Sequence, residues 1–239
     1  MSVILVTGGK GNLGKYIIKN FPQKNSNIIN LSRNINNSKK KNIENINCDL
    51  SKPFSVNKSL RYIKKKHNCI DLIIFCAGNS KKTYKKSETK KDHLSSLNSN
   101  FFSFTNLLEK YLNIFNYKKT KIIVFSSIVA NKITKAPITY SVSKHALNYY
   151  CKIKAKELAK FNIKINTISP GNILMKNNNW MKKKSLDPKY VKKYIKLNVP
   201  LNSFCNPDQL LELCIYLFSR SGDNITGSNF IIDAGESIQ

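Results

Sequence analysis

Two side chains able to exchange a proton stand four residues apart in YSVSK, residues 140–144. Tyr140 and Lys144 open a helical pattern, and a spacing of four puts both on one face. A free tyrosine has a pKa of about 10, too high for proton exchange at neutral pH. An ammonium beside it favours the phenolate and lowers that value. Ser127 lies thirteen residues before Tyr140, at the end of the apolar run KIIVFS. The N-terminus offers a different chemistry in TGGKGNLG, residues 7–14. There Gly9, Gly11 and Gly14 match the G-x-G-x-x-G spacing of a dinucleotide-binding turn. In that design one glycine makes the turn, one lets bare backbone approach a pyrophosphate, and one lets helix and strand pack closely. The helix N-terminus then turns free N–H groups and a positive dipole end toward the phosphates.

Both sets of residues need a scaffold, and the pattern supplies one. Strands are predicted at 3–7, 27–31, 45–48, 71–76, 121–126, 163–168 and 228–232. Several are near-continuous apolar runs, as strands buried on both faces of a parallel sheet require. Helical patterns lie between them at about 12–20, 54–67, 92–116, 139–160 and 207–220. The last opens with Asn206 as a cap, Pro207 in the first turn and Asp208 at the positive end. This alternation predicts an α/β fold, a Rossmann-type doubly wound parallel sheet of about seven strands with helices on both faces. No internal repeat or Pro/Ser-rich linker interrupts it, so residues 1–239 read as one domain. The strand before the glycines and the helix after them weigh against a plain glycine turn.

Composition narrows the class. The 239 residues are 41% apolar. No apolar run approaches the roughly 20 residues of a membrane helix, and no secretion signal is evident. The expectation is a cytoplasmic protein with no membrane partner. Six cysteines, at 48, 69, 76, 151, 205 and 214, lack metal-type spacing and join none of the three histidines. They read as free thiols, mostly buried, with no metal site. The net charge is +28, yet only Arg33, Arg61 and Arg220 are arginines. Lysine runs at 39–41, 64–66 and 182–184 are spread along the chain with abundant Asn and Ile, the signature of an AT-rich genome. Base-reading proteins favour bidentate arginine. The charge therefore reads as solvated lysine surface, without a specific nucleic-acid site.

Taken in order, eight anchors give the sequence a resemblance to the short-chain dehydrogenase/reductase family over essentially its whole length. They are TGGKGNLG at 7–14, CDL at 48–50, CAG at 76–78, Asn100, FSS at 125–127, YSVSK at 140–144, PG at 170–171 and ITGSNFIIDAG at 225–235. The resemblance implies that Tyr140 is the general acid/base, and that Lys144 lowers its pKa and holds the nicotinamide ribose. Ser127 would orient the substrate oxygen, and Asn100 would support a proton relay behind the lysine. Asn100 also fits a helix cap, and Asn98 is a nearby competitor. The resemblance further assigns Thr7, Gly8, Gly9, Lys10, Gly11, Asn12, Leu13 and Gly14 to the cofactor. Asp49 and Leu50 would face the adenine, Ala77 and Gly78 the ribose, and Pro170, Gly171 and Ile173 the nicotinamide amide.

The strand at 27–31 runs into Ser32 and Arg33, where NAD-preferring sites place an acidic residue. Arg33 and Lys10 suit a 2′-phosphate. NADP(H) is therefore preferred, with NAD(H) possible. The chain departs from the single-domain branch of the family at Asn12, at Phe75-Cys76, at Met175 and in DAG at 233–235. Asn12 is expected to replace a glycine in the turn because asparagine tolerates positive φ. Residues 172–205 would form a variable substrate lid. Its only tryptophan, Trp180, and its lysines either embrace an anionic substrate or face water, and the second reading is preferred. The implied activity interconverts a secondary alcohol and a ketone. Alternatives are a 3-oxoacyl-carrier-protein reductase, a cell-surface sugar biosynthesis reductase, and a non-catalytic dinucleotide-sensing or nucleic-acid-binding relative. A homodimer or homotetramer through 92–116, 139–160 and the C-terminal edge is also implied.

Overall fold

The computed structural model describes residues 1–22, 24–80, 87–115, 119–176 and 178–238. Each predicted strand is present: β1 (Ser2–Thr7), β2 (Ser26–Ser32), β4 (Ile43–Asn47), β5 (Leu72–Phe75), β6 (Lys121–Phe125), β7 (Lys164–Pro170) and β8 (Asn229–Ile232). An eighth, β3 (Ser38–Lys40), was not foreseen. It pairs antiparallel with β4 at the sheet edge, and its sequence SKK carries no apolar signal. The order is β3-β4-β2-β1-β5-β6-β7-β8, with every other pairing parallel. The order reverses between β1 and β5, and in such sheets the crevice at the strand C-termini there receives ligands.

Side-chain alternation builds two apolar layers. Val3 and Leu5 face α2 (Pro53–Lys66), α4 (Ser103–Ile114) and α5 (Ile138–Leu158). Ile4 and Val6 face α1 (Asn12–Asn20) and α8 (Pro207–Phe218). Full burial of one such aliphatic side chain stabilises the fold by about 1.5–3 kcal/mol. α8 starts as its sequence dictates: Asn206 and Gln209 form a capping box, with Pro207 in the first turn.

The single helical pattern at 92–116 resolves into three pieces. Thr89 and Asp92 form a capping box that starts α3 (Lys90–Leu97). A π-helical turn follows at Asn98–Phe102, and α4 continues from it. Two further helices, α6 (Asn179–Leu186) and α7 (Pro188–Asn198), lie inside the segment 172–205. Asn178 caps α6, and Asp187 caps α7 ahead of Pro188. Val191, Val199 and Phe204 pack with Trp180 and Tyr194 into a small apolar cluster of their own.

Candidate active site

At the C-terminal ends of β5, β6 and β7 lies a cavity of about 240 Å³. Leu13, Gly78, Ser127, Tyr140, Lys144, Pro170, Gly171 and Ile173, all singled out from sequence, line it. Ser127 is placed by the end of β6 and Tyr140 by the first turn of α5. Tyr140 and Ser127 meet at this cavity, where the Ser127 side chain acts to lower the Tyr140 pKa. One turn along α5, Lys144 is buried, its Nζ donating to the Phe125 carbonyl at 2.8 Å. Asn100 sits in the π turn with no exposed surface. Its Oδ1 accepts the Asn79 N–H at 2.8 Å, and its Nδ2 donates to the Asn79 and Ser96 carbonyls. A Cβ on Gly78 would stand 2.8 Å from Asn100 Oδ1 and 3.4 Å from Lys144 Nζ. Gly78 therefore marks where the asparagine and the lysine converge, and Asn98 is not the residue brought there.

Electrostatics correct one expectation. The Lys144 ammonium was expected to pull the Tyr140 phenol down. Burial wins instead and raises Tyr140, with the Ser127 side chain offsetting part of the rise. Burial also pushes Lys144 down to about 8. Both groups are held nearer their neutral forms than in water.

The glycine turn is built from contact, not only from freedom. Gly8 takes φ +70°, and a Cβ there would meet the Ala77 backbone at 3.0 Å. A Cβ on Gly9 would strike Asn30 Oδ1 at 2.3 Å, and one on Gly14 would strike the Gly8 carbonyl oxygen at 2.5 Å. Asn12 needs no positive φ: it is the first residue of α1, and Gly11 is the N-cap. No side chain caps that helix start and none in its first turn is acidic, which leaves its N–H groups to an anion. Thr7 is a staple, its Oγ1 accepting the Cys76 and Ala77 N–H groups at 3.2 Å each. Ser32 is buried and accepts the Lys10 N–H at 3.2 Å, while Lys10 Nζ donates to the Asn34 carbonyl at 3.1 Å. Arg33 is exposed beside them. Asp49 accepts from the Ser51 hydroxyl at 2.7 Å, and the Leu50 carbonyl accepts from Asn106 at 3.0 Å.

A family model described as enoyl-(acyl carrier protein) reductase matches residues 19–237. A solved structure of a short chain dehydrogenase family protein from Francisella tularensis superposes with a TM-score of 0.86 at 25% identity, over 100% of both chains. The chain belongs to the short-chain dehydrogenase/reductase family. Among its curated relatives are carbonyl reductase family member 4 of Xenopus laevis, 26% identical over 98% of this chain and 97% of the relative. A 3-oxoacyl-acyl-carrier-protein reductase FabG of Buchnera aphidicola is 26% identical over 96% of this chain and 95% of the relative. The protein is thus an oxidoreductase of this family by descent.

Of the departures from the family pattern, Phe75 has a physical replacement. Phe75 is fully buried and meets Phe104 edge to face at 5.1 Å, so apolar packing holds the sheet centre there. Cys76 lines the cavity, and burial pushes its thiol well up. All six cysteines are free, four of them buried. Ala234, where the family has glycine, does sit at φ +55°. Trp180 packs against Tyr194 at 4.6 Å and Phe204 at 4.8 Å, and donates to Asn172 Oδ1 at 2.6 Å.

Sequence reasoning missed several groups at the site. Asn79 and Ser80 line the cavity, beside Phe125 and Ser126 of the FSS anchor, which had been given no role of their own. Asn30 holds the glycine loop from below, accepting the Gly9 N–H at 3.1 Å and the Ser32 hydroxyl at 2.9 Å. A polar residue inside the apolar run NIINL was its signal. Glu236 was missed as well. Its buried carboxylate accepts from Asn172 and Tyr194.

Proposed function

We propose that this protein is an NADP(H)-dependent oxidoreductase interconverting a ketone and a secondary alcohol, with Ser127, Tyr140 and Lys144 as its catalytic set. The observation that carries the reading is that Ser127, Tyr140 and Lys144, one helical turn beyond the tyrosine, all face one cavity. Two hydroxyls on one side of a cavity suit a carbonyl oxygen that gains or loses a proton. Ser127 orients that oxygen and Tyr140 exchanges the proton with it. Lys144, and Asn100 beyond it, restore the proton from the buried side.

A nicotinamide dinucleotide fits these residues. The turn at Gly8, Gly9 and Gly14 leaves no room for Cβ atoms, and the uncapped N-terminus of α1 suits a pyrophosphate. The cofactor supplies the hydride when bound. Arg33 and the Lys10 ammonium beside Asn34 would recognise a 2′-phosphate, and Asp49 and Leu50 would border the adenine. Residues 172–205 cover the substrate end, as a lid within a single domain in the cytoplasm. The exposed Phe102, Val142, Tyr149 and Ile153 on the α4–α5 face suit a homodimer or homotetramer. The lysine surface is solvated, not a nucleic-acid site.

The names of the relatives favour a 3-oxoacyl thioester as substrate, whereas the description of the family model points to an enoyl thioester. Purified protein would be supplied with NADPH or NADH and each thioester, and nicotinamide absorbance followed. Consumption of NADPH with the 3-oxoacyl thioester, and none with the enoyl thioester, is the expected result. Turnover of the enoyl thioester alone would overturn the ketone reading. A preference for NADH would overturn the role given to Arg33 and Lys10.

A further inference from the structure

Glu236 is a carboxylate with 6% of its surface exposed, in a chain of net charge +28. Among the described residues no cation pairs with it, although Lys132 Nζ reaches its backbone carbonyl at 2.6 Å. Neutral donors satisfy the carboxylate. Oε1 accepts from Asn172 Nδ2 at 2.6 Å and from the Tyr194 hydroxyl at 2.9 Å, and Oε2 accepts the Asn172 backbone N–H at 3.2 Å. Gly171 makes the approach possible, since a Cβ there would stand 3.1 Å from Oε2. Asn172 thus has both its amide N–H and its side chain fixed by one carboxylate. Its Oδ1 then accepts from Trp180, and its carbonyl accepts the Cys205 N–H at 2.9 Å. Asn178 closes the ring by donating to the Ile173 carbonyl. Gly171 and Ile173, on either side of Asn172, are cavity wall.

We propose that Glu236 is a positioning residue: through Asn172 it fixes the Gly171–Ile173 wall and couples occupancy of the cavity to Trp180 in the segment 172–205. This rests on reading the cavity as a dinucleotide site. A buried carboxylate acceptor is stronger than an amide, and its three bonds all end on groups that either form the wall or clamp the segment. Glu236→Gln would turn an NH2 toward donors and loosen the wall.

The single tryptophan supplies a reporter, because it gives one indole N–H resonance. Oxidised NADP would be titrated into the uniformly 15N-labelled protein, and NADPH binding followed separately by nicotinamide fluorescence. In the wild type the indole resonance is expected to move and to saturate with the oxidised dinucleotide. In Glu236→Gln the resonance should be displaced before any addition. Its NADPH Kd should rise about tenfold, the loss of one charge-assisted hydrogen bond, with circular dichroism unchanged. An indole resonance that stays still while NADPH binds overturns the coupling, as does an unchanged Kd in Glu236→Gln. Should Glu236→Gln fail to fold, Tyr194→Phe removes only one donor and must displace the same resonance; no displacement overturns the proposal. Absence of NADPH binding in the wild type overturns the cofactor reading, and the coupling with it.

Discussion

Gly14 rests against the backbone of Gly8, so close that a Cβ on Gly14 would lie 2.5 Å from the Gly8 carbonyl oxygen and 2.8 Å from its carbon. Both atoms are backbone, so no side chain can swing aside. Gly14→Ala must push α1 away from the loop it follows. Overpacking of this kind costs about 1–3 kcal/mol. The NADPH Kd is expected to rise by at least about tenfold, equivalent to 1.4 kcal/mol. A nicotinamide fluorescence titration checks it, and an unchanged Kd would show that the phosphates do not sit on this turn.

Tyr140→Phe removes the hydroxyl that faces the cavity together with Ser127 and keeps the ring. Turnover is expected to fall by about 10²–10⁴-fold, the range for a lost general acid/base. Dinucleotide affinity and thermal stability should hold, because the ring still fills its place. Activity near the wild-type level would assign the proton to another group.

Lys144 makes stability depend on pH. Burial pushes it from 10.5 down to about 8 in the folded chain. Between those values the unfolded chain binds more protons than the folded one, so unfolding free energy rises with pH. Below about 8 both states are protonated, and the penalty of the buried charge is constant. The whole window amounts to about 3 kcal/mol at 1.36 kcal/mol per pKa unit. The buried thiols act oppositely at higher pH, since burial raises Cys151 and Cys214. The test is therefore a difference: urea unfolding of the wild type minus that of Lys144→Met, from about pH 7 to 9. The wild type should gain relative to the variant as pH rises, and a flat difference would mean Lys144 is charged and well solvated.

Ala234 holds φ +55° beside Gly235 at φ +85°. The left-handed region costs a Cβ-bearing residue roughly 1–2 kcal/mol. Ala234→Gly relieves that strain and gives back part of the gain as chain entropy. A net stabilisation of about 0.5–1 kcal/mol is expected by urea unfolding. Destabilisation would mean that the methyl group, which packs against the cluster of Val191, Val199 and Phe204, matters more than the backbone.

The sheet was legible because each buried strand is an apolar run, from VILVT at β1 to KIIVF at β6. The meeting of Ser127, Tyr140 and Lys144 at one cavity was legible because they are near one another in sequence and sit at element ends. What stayed hidden has a different physics. β3 exists only because β4 offers an edge, and SKK has no pattern of its own. α7 did carry a signal: Asp187-Pro188 followed by Val191, Tyr194 and Ile195 at helical spacing, masked by the lysines between them. Asn30 and Glu236 act across 21 and 64 residues of chain, on Gly9 and Asn172, and such pairings are set by topology alone. The raised pKa of Tyr140 was misjudged because sequence spacing shows a neighbouring charge but not the burial that outweighs it.

The π-helical turn at Asn98–Phe102 puts one more residue into its turn than an α-helix would. Each residue of an α-helix turns the chain by about 100°, so the extra one sets α3 and α4 out of phase by that angle. Asn100 can then reach Asn79 while Phe101 and Phe104 both meet Tyr150. A single-residue deletion here would rejoin the pieces into one continuous helix and swing α3 around its axis, taking Asn100 away from Asn79 and Gly78. At this point the site is specified by the count of residues as much as by their kind, and an insertion or deletion at 98–102 is a harsher change than most substitutions.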